Sequence, residues 1–284
     1  MRSGPHTLVL QALTPLNMER LRQLEAICHG SGITMIEPGV ARLANADPAT
    51  RAEVSQYCEP LSIDFAFMPS SLRFADIRLV VSDMDSTLIT IECIDEIADM
   101  CGLKPQVAAI TERSMRGELD FSASLTERVA LLAGLEVEAL ETVYQQRLRL
   151  TVGAEQLLAA CQQHDVKFML VSGGFTYFTD RLQQRLALDY AYANQFEIEQ
   201  GKLTGRLLGA IVDAEAKRDL LIRIREQLGL TARQVLAVGD GANDLKMLGE
   251  AGIGVAFHAK PVVRAEADVA LNVMGLGGIV HLFA

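Results

Sequence analysis

No lysine- or arginine-rich run interrupts this 284-residue sequence, and 26 basic residues against 36 acidic ones leave a net charge of −10 at neutral pH. Without a basic patch, nucleic acid and anionic membrane surfaces are poor electrostatic partners, and neither is expected. Long apolar runs are missing too. The opening stretch MRSGPHTLVLQALTPLNMERLRQ is broken by Pro15 and followed by charge, and has no small-residue cleavage site. It is too short to span a bilayer, so no export signal and no transmembrane helix are expected. Cys28, Cys58, Cys93, Cys101 and Cys161 are odd in number and contain no C-x-x-C pair, which speaks against a disulfide framework and a structural zinc site. Buried thiols in a reducing cytoplasm are the expectation. The five histidines (His6, His29, His164, His258, His281) have no H-E-x-x-H or other ligand spacing and read as structural. There is no internal repeat and no low-complexity tract.

What is present is apolar content: half of the residues, enough for a sizeable core and for two domains of ordinary size. Residues 1–75 alternate strand and helix periods: HTLVLQAL, NMERLRQLEAICHGSG, ITMIEP, ATRAEVSQYC and LSIDFAFM. This predicts a small α+β unit of three strands and two helices, with PSSLRFAD as a linker. Residues 76–284 read differently. The short β-branched runs IRLVVSD, VKFMLVSGG, QVLAVGDG, IGVAF and ADVALN show no alternation, as strands buried on both faces require. The expected fold class is therefore α/β: a doubly wound, Rossmann-like parallel sheet flanked by helices. Between the first two of these strands lie about eighty residues with almost no strand signal, too many for one crossover helix. A helical cap is expected at about 92–150, with GAEQLLAACQQHD as the true crossover helix. YANQFEIEQGKLTGRLLG predicts a β-hairpin turning at Gly201.

Three of the parallel runs end in polar or glycine-rich segments: SDMDST at 82–87, SGGF at 172–175 and GDGAND at 239–244. Each has an ordinary reading as a helix cap or tight turn. In an open α/β sheet, however, the carboxyl ends of the strands share one crevice, and the three would converge there. The chemistry that uses such a set is phosphoryl transfer. Asp83 can attack phosphorus and form an acyl phosphate. Two anions need a hard cation between them, and Asp83 with Asp240 offers the oxygen ligands that Mg²⁺ prefers. Asp85, two residues along an extended chain, points to the same side and can serve as general acid and then general base. Ser172 with the amides of Gly173 and Gly174 would hold phosphate oxygens. Lys217, at the start of a predicted helix, would balance the phosphoryl charge; its ordinary reading is a solvated helix face.

DMDST, SGG, Lys217 and GDGAND resemble the four motifs of the haloacid dehalogenase-like phosphatases, and DMDSTLITIE with LVSGGF resembles the phosphoserine phosphatases within that superfamily. The resemblance covers residues from about 77 to 280. It implies an aspartyl-phosphate mechanism on phosphoserine, the last step of serine biosynthesis, with Asp83 as nucleophile and Asp85 as acid/base. It further implies Mg²⁺ held by Asp83, the main-chain carbonyl of Asp85 and Asp240, supported by Asp244 and Asn243. Glu92 falls where the family places a carboxylate for the substrate ammonium, and Arg128 where it places the partner of the substrate carboxylate. Met115 and Phe121 would wall the pocket. Glu92 also reads as a first-turn helix acid, Arg128 as an exposed residue of LTERVALL, and Met115 and Phe121 as apolar residues of a cap core. Residues 1–75 resemble the amino-acid-binding regulatory modules of the ACT type, and an exposed edge of their sheet would suit a homodimer. Three rivals remain open: a phosphatase or phosphotransferase acting on another small phosphomonoester, a long-lived phosphoacceptor domain, and a dinucleotide binder. The last lacks a G-x-G-x-x-G after the first strand.

Overall fold

In a computed structural model of the chain, residues 5–284 are described, so the first four residues of the N-terminus expected to lack an export signal lie outside it. The chain runs β1 (His6–Gln11), α1 (Met18–Ile27), β2 (Ile33–Glu37), β3 (Val40–Ala46), α2 (Arg51–Cys58), β4 (Asp64–Pro69) and β5 (Leu79–Ser82). Four helices follow without a strand: α3 (Cys93–Met100), α4 (Lys104–Met115), α5 (Phe121–Ala130) and α6 (Glu138–Gln146). Next come α7 (Ala154–Gln163), β6 (Lys167–Phe175), α8 (Thr176–Leu186), β7 (Tyr190–Glu199), β8 (Lys202–Leu208) and α9 (Ala214–Gln227). The chain closes with β9 (Val235–Gly239), α10 (Leu245–Glu250), β10 (Ile253–Phe257), α11 (Pro261–Glu266), β11 (Val269–Leu271) and α12 (Gly278–His281). These elements form two compact units: Met1–Val80 with Val152–Lys167 and Gly229–Ala284, and Val81–Thr151 with Phe168–Leu228.

In the first unit, β1 lies antiparallel between β3 and β4, and β2 pairs with the outer edge of β3. The order β1-α1-β2-β3-α2-β4 is the split βαβ arrangement. Leu8 and Leu10 of β1, Leu21 and Leu24 of α1, Leu43, Val54 and Phe67 pack into one core. Asn17 starts α1 by accepting the Arg20 N–H at 2.9 Å, and Asp47 accepts the Ala49 N–H ahead of α2. The sequence reading had three strands here; the fourth, β3, returns from β2 after Pro38-Gly39. The stretch expected to be a linker is packed: Phe74 is buried and meets the rings of Phe283 and His164 edge-on.

The same unit contains the parallel ladders β9–β10 and β10–β11, and the runs of β9 and β10 are buried end to end. β4 joins them through an antiparallel pair, Phe65 with Ala270. One side chain anchors this junction. Buried Asp64 accepts the N–H groups of Asn272, Val273 and Met274 at 2.8, 2.9 and 2.8 Å. Burial pushes its carboxyl up, and the three N–H bonds offset only part of that rise. An amide at this position offers a single accepting oxygen and turns donors against donors. Asp64→Asn is therefore expected to destabilise the fold by about 1–3 kcal/mol, read as a lower denaturation midpoint.

In the second unit, β6 runs parallel to β7, and β7 turns back into antiparallel β8. Gln200 and Gly201 have φ of 50° and 79°, the pair of positive values that a tight hairpin of matching twist needs, so the turn falls where the sequence placed it. The strand-free region predicted between the first two parallel runs holds α3 to α6.

Candidate active site

The first strand end explains itself locally. Leu79, Val80 and Val81 are fully buried, and the chain leaves β5 at Asp83, which is 5 % exposed. Asp83 Oδ1 accepts the Met84 N–H at 2.7 Å. Ser86 then takes a left-handed φ of 55°, a strain of about 1 kcal/mol or more for a residue with a Cβ. That reversal lets the Ser86 N–H reach Ile91 O at 3.2 Å and its hydroxyl donate to Glu92 Oε1 at 2.6 Å. It also brings Asp85 against the start of α3, where its Oδ2 accepts the Cys93 N–H at 3.2 Å. Asp85 Oδ1 is buried with no hydrogen-bond partner among the described residues.

Burial raises two of these acids. Asp85 is pushed up to about 7, first by burial and then by the charge of Glu92, while Cys93 and Lys217 oppose the shift. Glu92 opens to solvent but is crowded by protein; burial raises it most, Asp95 adds to the rise, and Ser86, Arg128 and Lys217 lower it. Arg128, on α5, is partly buried, which lowers its guanidinium, and it feels the opposing charges of Asp95, Glu92 and Asp85. A cation among carboxylates is thus already assembled.

At the second strand end, Ser172 Oγ accepts the Gly174 N–H at 2.8 Å. Gly173 lets Phe121 approach closely: a Cβ there would fall 2.8 Å from Cζ of that ring. Lys217, in the first turn of α9, is fully buried, and its Nζ lies 2.8 Å from Asp83 Oδ2. The sequence DAEAK sets it there: Asp213 caps the helix by accepting the Ala216 N–H at 2.9 Å. In the other unit, β9 delivers the third strand end. Asp244 is fully buried and accepts the Gly241 N–H at 3.1 Å. A Cβ on Gly239 would run into the Asp244 carboxylate, and one on Gly241 into the Asn243 side-chain oxygen, so the loop is wound tightly around oxygen donors.

Of the residues singled out from sequence, Asp83, Asp85, Glu92, Arg128, Phe121, Ser172, Gly173, Gly174 and Lys217 fall in one compact unit, and Asp240, Asn243 and Asp244 on the acidic loop of the other. Two expectations change. Gly174 was to donate to phosphate, but its N–H is already given to Ser172 Oγ, so it orients that hydroxyl instead. Met115 does not pack into a cap core, being 69 % exposed at the end of α4. Three residues went unassigned: Ser86, inside a quoted motif; Asp95, one turn beyond Glu92; and Asn194, a lone buried amide in β7.

Comparison with known proteins agrees with this arrangement. Residues 77–252 match the haloacid dehalogenase-like hydrolase family, and residues 8–54 match a domain of unknown function. A phosphoserine phosphatase of Polaromonas sp. is 52 % identical over 216 residues, 74 % of this chain and 92 % of the relative. The crystal structure of a probable phosphoserine phosphatase from Vibrio cholerae superposes with a TM-score of 0.82 at 38 % identity, covering 98 % of this chain and 85 % of that one. A substrate-bound phosphoserine phosphatase complex superposes at 0.69 with 36 % identity, covering 73 % of this chain and 99 % of its own. The motif-bearing strand ends, the buried Asp83–Lys217 pair and these matches place the chain in the haloacid dehalogenase-like hydrolase family, among its phosphoserine phosphatases.

Proposed function

We propose that the chain hydrolyses O-phospho-L-serine to L-serine and phosphate, through a phosphoryl group carried on Asp83. The observation that carries the reading is the division between two neighbouring acids: Asp83 holds an ammonium at 2.8 Å, while Asp85 is pushed up to about 7 and so keeps a proton to give near neutral pH. An Asp83 oxygen attacks phosphorus and the bond to the serine oxygen breaks, with Asp85 delivering its proton to that oxygen. A water then attacks the phosphoryl group, Asp85 takes the water's proton, and the acyl phosphate bond breaks to free phosphate and Asp83. The Ser172 hydroxyl, the Gly173 amide and Lys217 hold the phosphoryl oxygens as charge develops on them. Glu92 receives the substrate ammonium and Arg128 its carboxylate through a bidentate fork; Phe121 walls the pocket, and Met115 stands ready at the cap's rim.

Mg²⁺ would be held by the Asp83 carboxylate, the main-chain carbonyl of Asp85 and Asp240, with Asp244 and Asn243 in support, since carboxylate and carbonyl oxygens are the hard donors it prefers. The tight winding of the acidic loop around the Asn243 and Asp244 side-chain oxygens fits such an ion. When bound, Mg²⁺ supplies charge neutralisation between nucleophile and phosphoryl group. A cap at about 92–150 that closes over the substrate, an ACT-like regulatory role for residues 1–75, and a homodimer through the free edge of β2 belong to the same proposal. So does residence in the cytoplasm without nucleic-acid or membrane partners; among the described residues no helix is long and apolar enough to cross a membrane.

The test is phosphate release from O-phospho-L-serine beside phosphothreonine, phosphoglycolate and a sugar phosphate, with Mg²⁺ and then with EDTA. The expected result is a strong preference for phosphoserine that EDTA abolishes. Preference for another ester would keep the Asp83/Asp85 chemistry and discard the roles of Glu92 and Arg128.

A further inference from the structure

The phosphate-binding turn is a defect in a ladder. β6 and β7 pair in register from Met169 with Tyr190 to Val171 with Tyr192, and pairing resumes only at Phe175 with Asn194. Three residues of β6, Ser172, Gly173 and Gly174, thus stand against one of β7, Ala193, and bulge out of the ladder. Backbone groups expelled from a ladder need new partners when buried. One side chain provides a partner for the Gly173 carbonyl. Asn194, 2 % exposed, donates from Nδ2 to Gly173 O at 2.8 Å and accepts at Oδ1 from the Val212 N–H at 2.8 Å. The assignment of its two ends follows from the partners, since a carbonyl only accepts and an N–H only donates.

Each bond reaches a different part of the phosphoryl machinery. The Gly173 carbonyl and the Gly174 N–H belong to one peptide plane, so fixing the carbonyl aims the N–H at Ser172 Oγ, which it meets at 2.8 Å. With that lone pair occupied, the Ser172 hydroxyl proton remains free to be donated. Val212 precedes Asp213, the cap of α9, whose first turn carries Lys217. The position beyond is closed by the stacked rings of Phe175 and Phe196, 3.8 Å between centroids. We propose that Asn194 is a positioning residue for catalysis: its amide fixes the Ser172 hydroxyl and the start of the Lys217 helix relative to one another. The inference rests on the reading that Ser172 and Lys217 bind the transferred phosphoryl group.

Asn194→Asp separates positioning from packing, because the two side chains have the same shape. The ionised acid still accepts from Val212 but cannot donate to Gly173 O; the protonated acid can do both, and burial favours protonation. At pH 8, Asn194→Asp is expected to lower kcat on phosphoserine by roughly 10–100-fold with KM changed far less, in line with the cost of misplacing reacting groups. The deficit relative to the wild type should shrink as pH falls towards 5.5. Asn194→Leu should lose as much at every pH. Asn194→Ser, which is short enough to fold if the acid is not tolerated, should show the same loss in kcat without recovery. A wild-type kcat in Asn194→Asp, or a deficit flat with pH and matched by an equal fall in Tm for all three variants, would overturn the proposal. Absence of wild-type turnover on phosphoserine would instead overturn the reading of the site on which it rests.

Discussion

Asp83→Asn is expected to reduce phosphate release from phosphoserine by about 10³-fold or more, with the fold retained. The substitution exchanges one side-chain oxygen for an NH₂ of similar size, so the buried position still fits. The chemistry does not survive it. An amide oxygen is a poor nucleophile, and an adduct on it could not break down as an acyl phosphate does, so both halves of the reaction fail together. The pairing also changes character: Lys217 Nζ sits 2.8 Å from Asp83 Oδ2, and that contact loses its charge. Steady-state phosphate release measures the loss, and rapid acid quench with labelled substrate should find phosphoprotein in the wild type and none in the variant. Turnover within tenfold of the wild type would show that Asp83 is a charge in the site and not the attacking group. A labelled Asp83→Asn protein would place the phosphoryl group on another residue.

How much of this could be read from the sequence follows from distance along the chain. The strand ends were legible because each is contiguous: apolar residues that demand burial on both faces stop abruptly at DMDST, SGG or GDGAND, and chain geometry alone puts the polar residues at the strand's end. The hairpin at Gly201 was legible for the same reason. β3 was not. VARLANA has Ala, Arg and Asn in a strand, and only its neighbours β1 and β2 make it one. Asp64 carries no motif in LSIDFAFM, and its three donors lie 208 to 210 residues downstream. Asn194 is the clearest case. A single amide inside YAYANQFEIE carries no motif, and its meaning depends on a bulge in β6, 21 residues earlier, and on Val212, 18 residues later. Ser86 was quoted inside a motif without a role, because its left-handed backbone and its bond to Glu92 exist only once the loop closes.

Lys217→Met is expected to lower kcat/KM by about 10²–10³-fold, the usual cost of removing one preorganised donor from a developing oxyanion. Methionine keeps most of the length and the apolar stem, so the fully buried position of Lys217 in α9 remains filled. What is lost is a positive charge beside Asp83 and, on the proposed mechanism, beside the phosphoryl oxygens. Two further variants decide whether charge or packing is responsible. Lys217→Arg keeps the charge but brings a larger planar head into a site with no exposed surface, and is expected to be nearly as impaired. Lys217→Ala opens a space into which a small amine can diffuse, and methylammonium should restore part of its activity in a saturable manner. Rescue would show that the ammonium acts at the reacting group. Failure of rescue, with Lys217→Met within tenfold of the wild type, would reduce Lys217 to a structural partner of Asp83 and leave the Ser172 hydroxyl and the Gly173 amide as the groups that carry the phosphoryl charge.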